Sequence, residues 1–368
     1  MFILFFMFNP KLVFRDSAWN KTFSFVFKLQ KRLYKSSYVF DINKVFLIQK
    51  ILFCSNSLRL LSIRESTQLS SIKKISGIDN KLYLTFSERF ELNEFLKDNA
   101  INWNPTFFKS VYVLDKNNNT KFYVLPTVAD RVWYCLVKMI LLPVHEALFR
   151  PQNFGYRFIR SIYEIQNSFY LNLCYSSFGS QKRLLKIDLN DNFRSFNLHL
   201  FMNKLIIPRS IKLGIFRAFK KGLNLSYDEF YVENLPILAL FLNILLDGIE
   251  GFSSSSIHYG STVIYFLKPN EVEKDVIRKL KLLLVNLGLD YLKMKITMSS
   301  AYEGINFLKW NFKLSYFNEF ICSPSILDYK KLLMRIKKII NNSNYGAEIK
   351  AVKISPLVKE WKLYQFIC

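Results

Sequence analysis

Hydrophobic residues make up 51% of this 368-residue chain, and they are spread along its whole length. This feature constrains the fold most, because a chain with so much apolar surface can bury a substantial core and will not stay disordered over most of its length. The sequence therefore predicts a folded protein, divided into two or three units.

The charge of the chain indicates a polyanionic partner. Its 52 Lys and Arg outnumber its 28 Asp and Glu, and the resulting formal net charge of +24 is not confined to one tail. A basic balance can also serve solubility alone, and a membrane surface would attract it too. At this excess nucleic acid is the favoured partner. No membrane insertion is expected, since the apolar stretches at 1–8 and 236–246 are shorter than the ~20 residues of a transmembrane helix.

Cysteine usage and the first residues bear on the compartment. The cysteines are scattered and never spaced C-x-x-C, which argues against a disulfide framework or a structural zinc site and favours a reducing compartment; they are Cys54, Cys135, Cys174, Cys322 and Cys368. The opening MFILFF run lacks the basic segment and cleavage site of a signal peptide. Abundant Phe, Lys, Asn and Ile with little Gly are typical of A+T-rich organelle genes. A plastid location is expected, with the mitochondrion as the alternative.

Hydrophobic periodicity predicts a mixture of helices and strands. Residues 1–75 predict a basic helical extension, 109–124 a β-hairpin, and 130–150 a helix that Pro151 and Gly155 terminate. The segments that follow are predicted as a helix at 161–168, a strand at 183–189, helices over 196–221 with a break near Pro208, a helix at 236–248 and a strand at 257–267.

Two later helices have capping signals. Asn270 and Glu273 predict a capping box for a helix that ends near Gly288, and Ser325 with Asp328 predicts the start of a final helix. The apolar side of that final helix consists of Tyr329, Leu332, Leu333, Ile336 and Ile340, and another side carries Lys331, Arg335 and Lys338. The basic side is either a solvated face or an RNA-binding face.

Several motifs in collinear order resemble those of the reverse-transcriptase-like maturases of group II introns. LPTVADR at 125–131, LPVHE at 142–146 and FRPQNFGYR at 149–157 resemble the family patterns IPTxxDR, LEPxxE and FxPxSYGFR. SGID at 76–79 resembles the family's upstream GID signature. LKID at 185–188 resembles the strand that carries the first metal-binding aspartate.

The resemblance extends to the end of the chain. KISPLVKEWKLY at 353–364 is similar to the LNPxxRGWxxY signature of domain X, with Glu360 in place of the glycine. The resemblance implies an α+β fold, with right-hand reverse-transcriptase-like fingers and palm over 76–320 and a helical thumb, domain X, over 321–368. It also implies a degenerate plastid maturase-like protein, for which the type associated with ribosomal operons is one candidate.

The same alignment indicates that polymerase chemistry has been lost. Nucleotide addition needs carboxylates that hold two Mg²⁺ ions about 3.5–4 Å apart, and the central YADD hairpin of the family supplies two of them. Here YGST at 259–262 places Ser261 and Thr262 at those positions, so Asp188, Ser261 and Thr262 mark a decayed polymerase site, and Asp188 is given no catalytic role. The PQG motif is also absent, since the matching region is YVENLP at 231–236. The sequence therefore predicts no enzyme, no metal and no cofactor.

The function that the resemblance implies is binding of structured RNA, which would assist group II intron folding and splicing while the RNA keeps the chemistry. The candidate RNA contacts are Arg131, Arg157 and Arg160 in the fingers-like region and Lys330, Lys331, Arg335, Lys337 and Lys338 on the thumb-like helix. One alternative is binding of rRNA or a ribonucleoprotein in plastid ribosome or RNA maturation. Another is a residual RNA-dependent DNA polymerase that uses Asp191 or Asp247 beside Asp188. The sequence does not indicate any protein partner.

Overall fold

The computed structural model describes residues 16–69, 76–81, 84–114, 120–157, 160–189, 193, 196–225 and 235–365. Over these ranges the protein is an α+β structure, as the sequence predicts, with a large helical body and three antiparallel β-sheets. The sheets and the helices between them position the candidate site.

Three helices open the described part of the chain. They are α1 (Asp16–Tyr38), α2 (Ile42–Cys54) and α3 (Asn56–Arg64), and a π-helical segment at Glu65–Leu69 follows them. This confirms the helical character predicted for the N-terminal region, of which residues 1–15 and 70–75 lie outside the described residues.

The N-terminal helices pack against a long central helix, α5 (Val128–Leu148), and share its core. Buried glutamine side chains reinforce this packing. The Gln30 amide donates to the Met139 carbonyl of α5 (2.8 Å), and the Gln49 amide donates to the Ile206 carbonyl (2.9 Å). The boundary at residue 75 stays a prediction, but the helices before it are part of the main core.

Among the described residues no single helix is long and apolar enough to cross a bilayer. One bent pair, Ile42–Cys54 with Asn56–Gln68 at 66°, meets the criterion by length and composition only.

Helix α4 and the first sheet come between the N-terminal helices and α5 in chain order. Helix α4 (Phe86–Asn99) begins with a capping box, in which Thr85 Oγ1 accepts from the Glu88 N–H and Glu88 Oε2 accepts from the Thr85 N–H. Strands β1 (Lys109–Leu114) and β2 (Thr120–Leu125) form the predicted antiparallel hairpin. Its turn at 115–119 lies outside the described residues.

Five further helices lie among the described residues that follow α5. They are α6 (Ile162–Leu173), α7 (Leu198–Lys204), α8 (Arg209–Lys220), α9 (Ile237–Leu246) and α10 (Glu273–Asn286). Pro208 separates α7 from α8, as predicted, because proline cannot supply the N–H that a continuous helix needs. Every residue of α9 is buried, so this helix forms the centre of the main core.

The second sheet separates two hydrophobic cores. Its strands β3 (Arg183–Asp188), β4 (Ser256–Tyr259), β5 (Thr262–Leu267) and β6 (Lys295–Ser300) are arranged β4-β5-β3-β6, all antiparallel. Side chains alternate between the two faces. The main core, with α5 and α9, receives Leu185, Ile187, Val263 and Tyr265, and the second core, with α6, receives Leu184, Ile257, Ile264 and Phe266.

The third sheet closes the second core. Strands β7 (Ile305–Phe307), β8 (Trp310–Leu314) and β9 (Phe320–Pro324) form an antiparallel meander. Phe312 of β8 stacks on Phe169 of α6, with ring centroids 4.0 Å apart. The sequence predicted none of these strands.

The chain continues into α11 (Ile326–Ile340) and α12 (Ala347–Gln365). Ser325 Oγ accepts from the Asp328 N–H (3.2 Å), which confirms the predicted start of α11. No residue of α11 is buried, so its apolar side does not form the core face that the sequence allowed; Leu333 is 46% exposed.

Two local predictions were wrong. Residues 257–267 form two antiparallel strands joined by a tight turn, whereas the periodicity alone suggested one strand. Asn270 does not cap α10, whose N-cap is Val272 without a side-chain hydrogen bond. Instead Glu271 holds this loop, since it accepts from the backbone N–H groups of Ser254 and Lys268.

Candidate functional site

The acidic residues of the upstream motifs hold the scaffold around the start of α5. Asp79 of the SGID segment accepts a hydrogen bond from the Val128 N–H (2.8 Å). Asp130 of the LPTVADR segment accepts from Trp103 Nε1 (2.9 Å) and from the Thr106 hydroxyl (2.5 Å). Both carboxylates lie at the positive end of the α5 dipole, which favours negative charge. They stabilise the fold at this point.

The LPVHE and FRPQNFGYR segments are joined by a buried ion pair. Arg157 Nε and Nη2 lie 2.9 and 2.5 Å from Glu146 Oε1, and the two side chains are 6% and 3% exposed. Arg157 Nη1 also donates to the carbonyls of Arg150 and Asn153. The guanidinium of Arg157 is therefore engaged inside the protein.

Arg131 is buried as well. Its side chain is 5% exposed, its Nε donates to the Pro126 carbonyl (3.1 Å), and burial lowers its pKa. An RNA backbone cannot reach a guanidinium in either position. We therefore give Arg131 and Arg157 structural roles in place of the RNA contacts that the sequence suggested.

The YGST segment forms the turn between β4 and β5, and Gly155 of the FRPQNFGYR segment packs directly against it. Gly260 has a φ of 62°, a conformation that favours glycine. A Cβ on Gly155 would overlap the backbone nitrogen of Gly260, and Asn243 Nδ2 donates to the Gly155 carbonyl (2.5 Å). Two motifs that are about a hundred residues apart therefore meet backbone to backbone.

A fully buried histidine supports the same turn. His258 Nε2 lies 2.8 Å from the Gly260 carbonyl, which can only accept, so this nitrogen carries a proton. His258 Nδ1 lies 2.6 Å from Glu250 Oε1, and neither side chain is exposed. Burial alone would raise the pKa of Glu250, but the hydrogen bond and charge of His258 outweigh it and the pKa is lowered. The buried pair therefore holds the Gly260 carbonyl, and with it the turn, in place.

The structure brings together Asp188, Ser261 and Thr262, the three positions that the sequence predicts to be a decayed polymerase site. Asp188 at the end of β3 is the cross-strand partner of Thr262, and the Leu189 N–H donates to the Ser261 carbonyl (2.9 Å). On its other side Asp188 is opposite Lys295 of β6. Over the ranges that the structure describes, no group of three or more His, Cys, Asp or Glu is placed to hold a metal ion. Asp191 lies outside these ranges.

The aromatic residues of the KISPLVKEWKLY segment attach α12 to the rest of the protein. The Tyr364 ring stacks on Trp310 at 4.7 Å, and its hydroxyl donates to the Leu308 carbonyl (2.7 Å). Trp361 lies 6.4 Å from Tyr329 of α11, measured between ring centroids. Glu360, which replaces the family's glycine, is exposed, so its side chain causes no clash.

The remaining candidate RNA contacts lie at the surface. All five basic residues of α11 are exposed: Lys330, Lys331, Arg335, Lys337 and Lys338. Lys331 forms an exposed ion pair with Asp328 at 3.1 Å. The side chain of Arg160 is 30% exposed and pairs with Glu164 at 2.8 Å. Six of the eight residues singled out by sequence are therefore accessible.

A cleft of about 340 Å³ adjoins the decayed site, between the β4–β5 turn, the β7–β8 turn and the start of α11. We call it the turn cleft. Three lysines line it, namely Lys186, Lys309 and Lys331, together with Tyr156 and Tyr259. Of these three lysines, only Lys331 was singled out from the sequence. The missed signal was the alternation of apolar residues over 305–314, which indicates a hairpin that places Lys309 in its turn.

Comparison with known proteins agrees with the motifs. Residues 15–96 match the family described as the N-terminal domain of reverse transcriptase. The chain is 43% identical to "Maturase-like protein 1" of Euglena gracilis over 353 residues, which cover 95% of this chain and 77% of that protein. It is 45% identical to "Maturase-like protein 1" of Euglena longa over 350 residues, which cover 94% and 76%. The chain therefore belongs to a maturase-like family related to reverse transcriptases.

Proposed function

We propose that this protein binds structured RNA and assists the folding and splicing of a group II intron, without polymerase activity. The observation that carries the proposal is α11, which has five exposed basic residues, one acidic residue, Asp328, and no buried side chain. A helix with no buried side chain gains little from tertiary packing, whereas contacts with RNA phosphates would engage its basic residues.

A right-hand arrangement is part of the proposal. The four-stranded sheet with Asp188 corresponds to the palm, the segments around the β1–β2 hairpin to the fingers, and α11 with α12 to the thumb. This assignment is supported by the meeting of the LKID, YGST and FRPQNFGYR segments at one end of the sheet. It leaves α11 beside the decayed site, where RNA held by a thumb would lie.

The loss of polymerase activity rests on the residues at the β4–β5 turn. Hydroxyl groups at Ser261 and Thr262 cannot supply the negative charge that two Mg²⁺ ions require. The remaining carboxylate, Asp188, has Lys186 on its own strand and Lys295 opposite it on β6, and this positive charge opposes cation binding. We expect no Mg²⁺-dependent primer extension on an RNA template. Extension above that of a heat-denatured sample would overturn this part of the proposal and revive the residual polymerase.

The partner RNA can be identified by ultraviolet crosslinking and sequencing in the cells that make the protein. Enrichment of group II intron segments would support the proposal, and enrichment of rRNA would favour a role in ribosome or ribonucleoprotein maturation instead. If no RNA is enriched, both functions fail. We infer a plastid as the compartment, and fractionation of the same cells tests that inference.

The role of α11 is testable through the salt dependence of RNA binding. Each phosphate contact contributes roughly 0.7–0.9 to the slope of log Kobs against log salt. A variant with Lys330, Lys331, Lys337 and Lys338 all changed to Gln should therefore lose a slope of roughly 3. The matched control changes four exposed lysines on other helices to Gln: Lys44, Lys50, Lys97 and Lys279. Equal losses in both variants would mean that α11 has no special role.

A further inference from the structure

The turn cleft has the size and lining of a site for a small ligand. Its volume of about 340 Å³ lies within the ~300–1,000 Å³ range of ligand pockets. It is lined by Gly260, Ser261 and Thr262 of the β4–β5 turn and by Leu308 and Lys309 of the β7–β8 turn. It therefore occupies the place where the family's catalytic carboxylates would stand.

The charge of the turn cleft favours an anion. Its charged residues are Lys186, Lys309 and Lys331 against Asp328 alone. Lys186 Nζ donates one of its three protons to the Asn306 carbonyl (2.8 Å); burial lowers its pKa more than the charge of Asp188 raises it, so a bound anion would stabilise this ammonium further. Asp328 accepts a hydrogen bond from the Ser325 hydroxyl at 2.6 Å and pairs with Lys331 at 3.1 Å, so the lining keeps an excess of positive charge from Lys186 and Lys309.

Aromatic rings stand beside the lysines. Tyr156 and Tyr259 line the turn cleft with ring centroids 5.6 Å apart and planes tilted by 33°. Tyr156 is 38% exposed, which leaves part of its ring available for contact. Tyrosine faces stack on nucleobases of any sequence. Lysines for a phosphate and rings for a base thus lie in one cavity.

Backbone strain is concentrated around the same cavity. Among the described residues, seven other than glycine have positive φ, and three of these line the turn cleft: Tyr156 at 51°, Leu308 at 49° and Lys309 at 69°. Hydrogen bonds from the Tyr364 hydroxyl to Leu308 O and from the Ser325 N–H to Lys309 O hold the β7–β8 turn in place. Strain of this kind persists where the surroundings enforce it, and it clusters at ligand sites.

We propose that the turn cleft binds one unpaired nucleotide of the RNA partner, with its phosphate on the lysines and its base against the Tyr156–Tyr259 pair. The inference rests on the RNA-binding function proposed above and adds the chemical unit that this site recognises. A free nucleotide presents the same chemistry, so the test has one arm for each source.

The first arm measures binding of uridine 5′-monophosphate to the full chain by saturation-transfer-difference NMR. Loss of a base–aromatic stack corresponds to about fivefold or more in affinity. Tyr259→Leu should weaken binding by at least that factor, whereas Tyr259→Phe keeps the ring and should stay within about twofold. Lys186→Gln should also weaken binding, and Lys279→Gln, which removes an exposed lysine outside the cleft, should not. Circular dichroism confirms that each variant is folded.

The second arm uses two RNA hairpins that differ only in a single 2-aminopurine bulge. Stacking in the turn cleft should quench the fluorescence of the bulged base, and the quenching should be lost in Tyr259→Leu but kept in Tyr259→Phe. Bulged RNA that binds with the same fluorescence for the wild type and Tyr259→Leu overturns the proposal. Binding of the monophosphate without quenching in the RNA assigns the cleft to a free nucleotide and overturns the RNA assignment. If the monophosphate binds but neither hairpin does, the RNA-binding function fails while the nucleotide chemistry of the cleft stands.

Discussion

The buried pair between Glu146 and Arg157 permits a quantitative test of the structural role assigned to Arg157. Glu146→Gln removes the negative charge and leaves a guanidinium that is 6% exposed without its counter-ion. Loss of one partner from a buried ion pair costs about 3–5 kcal/mol, since the remaining charge stays desolvated. Total domain stabilities are about 5–15 kcal/mol. The free energy of unfolding should therefore fall by a large fraction.

Urea denaturation followed by circular dichroism measures this loss. The matched control is Arg278→Gln, which breaks an exposed pair with Asp275 at 3.8 Å and should cost under about 1 kcal/mol. If Glu146→Gln costs no more than Arg278→Gln, the pair is not buried as described. A second readout is RNA affinity for Arg157→Lys. A folded Arg157→Lys variant of unchanged stability that binds RNA much more weakly would make Arg157 an RNA contact and refute our assignment.

Three further predictions concern stability. Burial lowers the pKa of His145 to about 3, against ~6.5 in the unfolded chain. The stability contributed by the neutral imidazole is therefore present above pH 6.5 and is lost as pH falls. The free energy of unfolding, measured by urea denaturation, should fall by about 2 kcal/mol between pH 7 and 5, and His145→Gln should remove this pH dependence. Gly155→Ala should cost about 1–3 kcal/mol because its Cβ meets the β4–β5 turn, whereas Gly346→Ala, in open space, should be neutral; equal effects would contradict the close approach. Tyr364→Phe loses the hydrogen bond to the Leu308 carbonyl and should lower the free energy of unfolding, measured by urea denaturation, by about 0.5–1.5 kcal/mol. An unchanged free energy would mean that this bond is not formed.

Much of the fold follows from local sequence signals. Ser325 and Asp328 predicted the start of α11 correctly, because an N-cap depends on residues within one turn. The β1–β2 hairpin and the break at Pro208 were predicted for the same reason. The Asn270 cap was wrong because a competing residue determines the loop conformation: Glu271 accepts hydrogen bonds from the backbone N–H groups of Ser254, before β4, and Lys268, after β5.

The β7–β8 hairpin shows why other elements escaped prediction. A two-residue turn with positive φ at both central positions normally contains Asn or Gly. Here Leu308 and Lys309 occupy those positions, held by Tyr364 and Ser325 from distant parts of the chain. Tertiary contacts impose this turn, so its two central residues carry no turn signal, and only the apolar alternation over 305–314 marks the strands on either side. The turn cleft that depends on it was missed with it.

The candidate RNA contacts differ in burial, and burial cannot be predicted from the pattern of charges in the sequence. Arg131 and Arg160 are both arginines in basic, aromatic segments, yet one is buried against Pro126 and the other is partly exposed beside Glu164. From the sequence we treated both as candidate RNA contacts because both belong to basic segments. Only the packing of α5 against its neighbours distinguishes a structural guanidinium from a surface one.

The decay that we propose for the polymerase site is compatible with an intact hairpin for a physical reason. The β4–β5 turn is held by Gly260, by the approach of Gly155 and by the buried His258–Glu250 pair, and none of these needs a carboxylate at positions 261 or 262. Three carboxylates close together repel one another when no metal is bound. Ser261 and Thr262 relieve that repulsion, so a scaffold freed from catalysis would gain stability by such changes. Uncharged residues at positions 261 and 262 in a well-held turn are therefore what we expect if the scaffold serves RNA binding, as proposed.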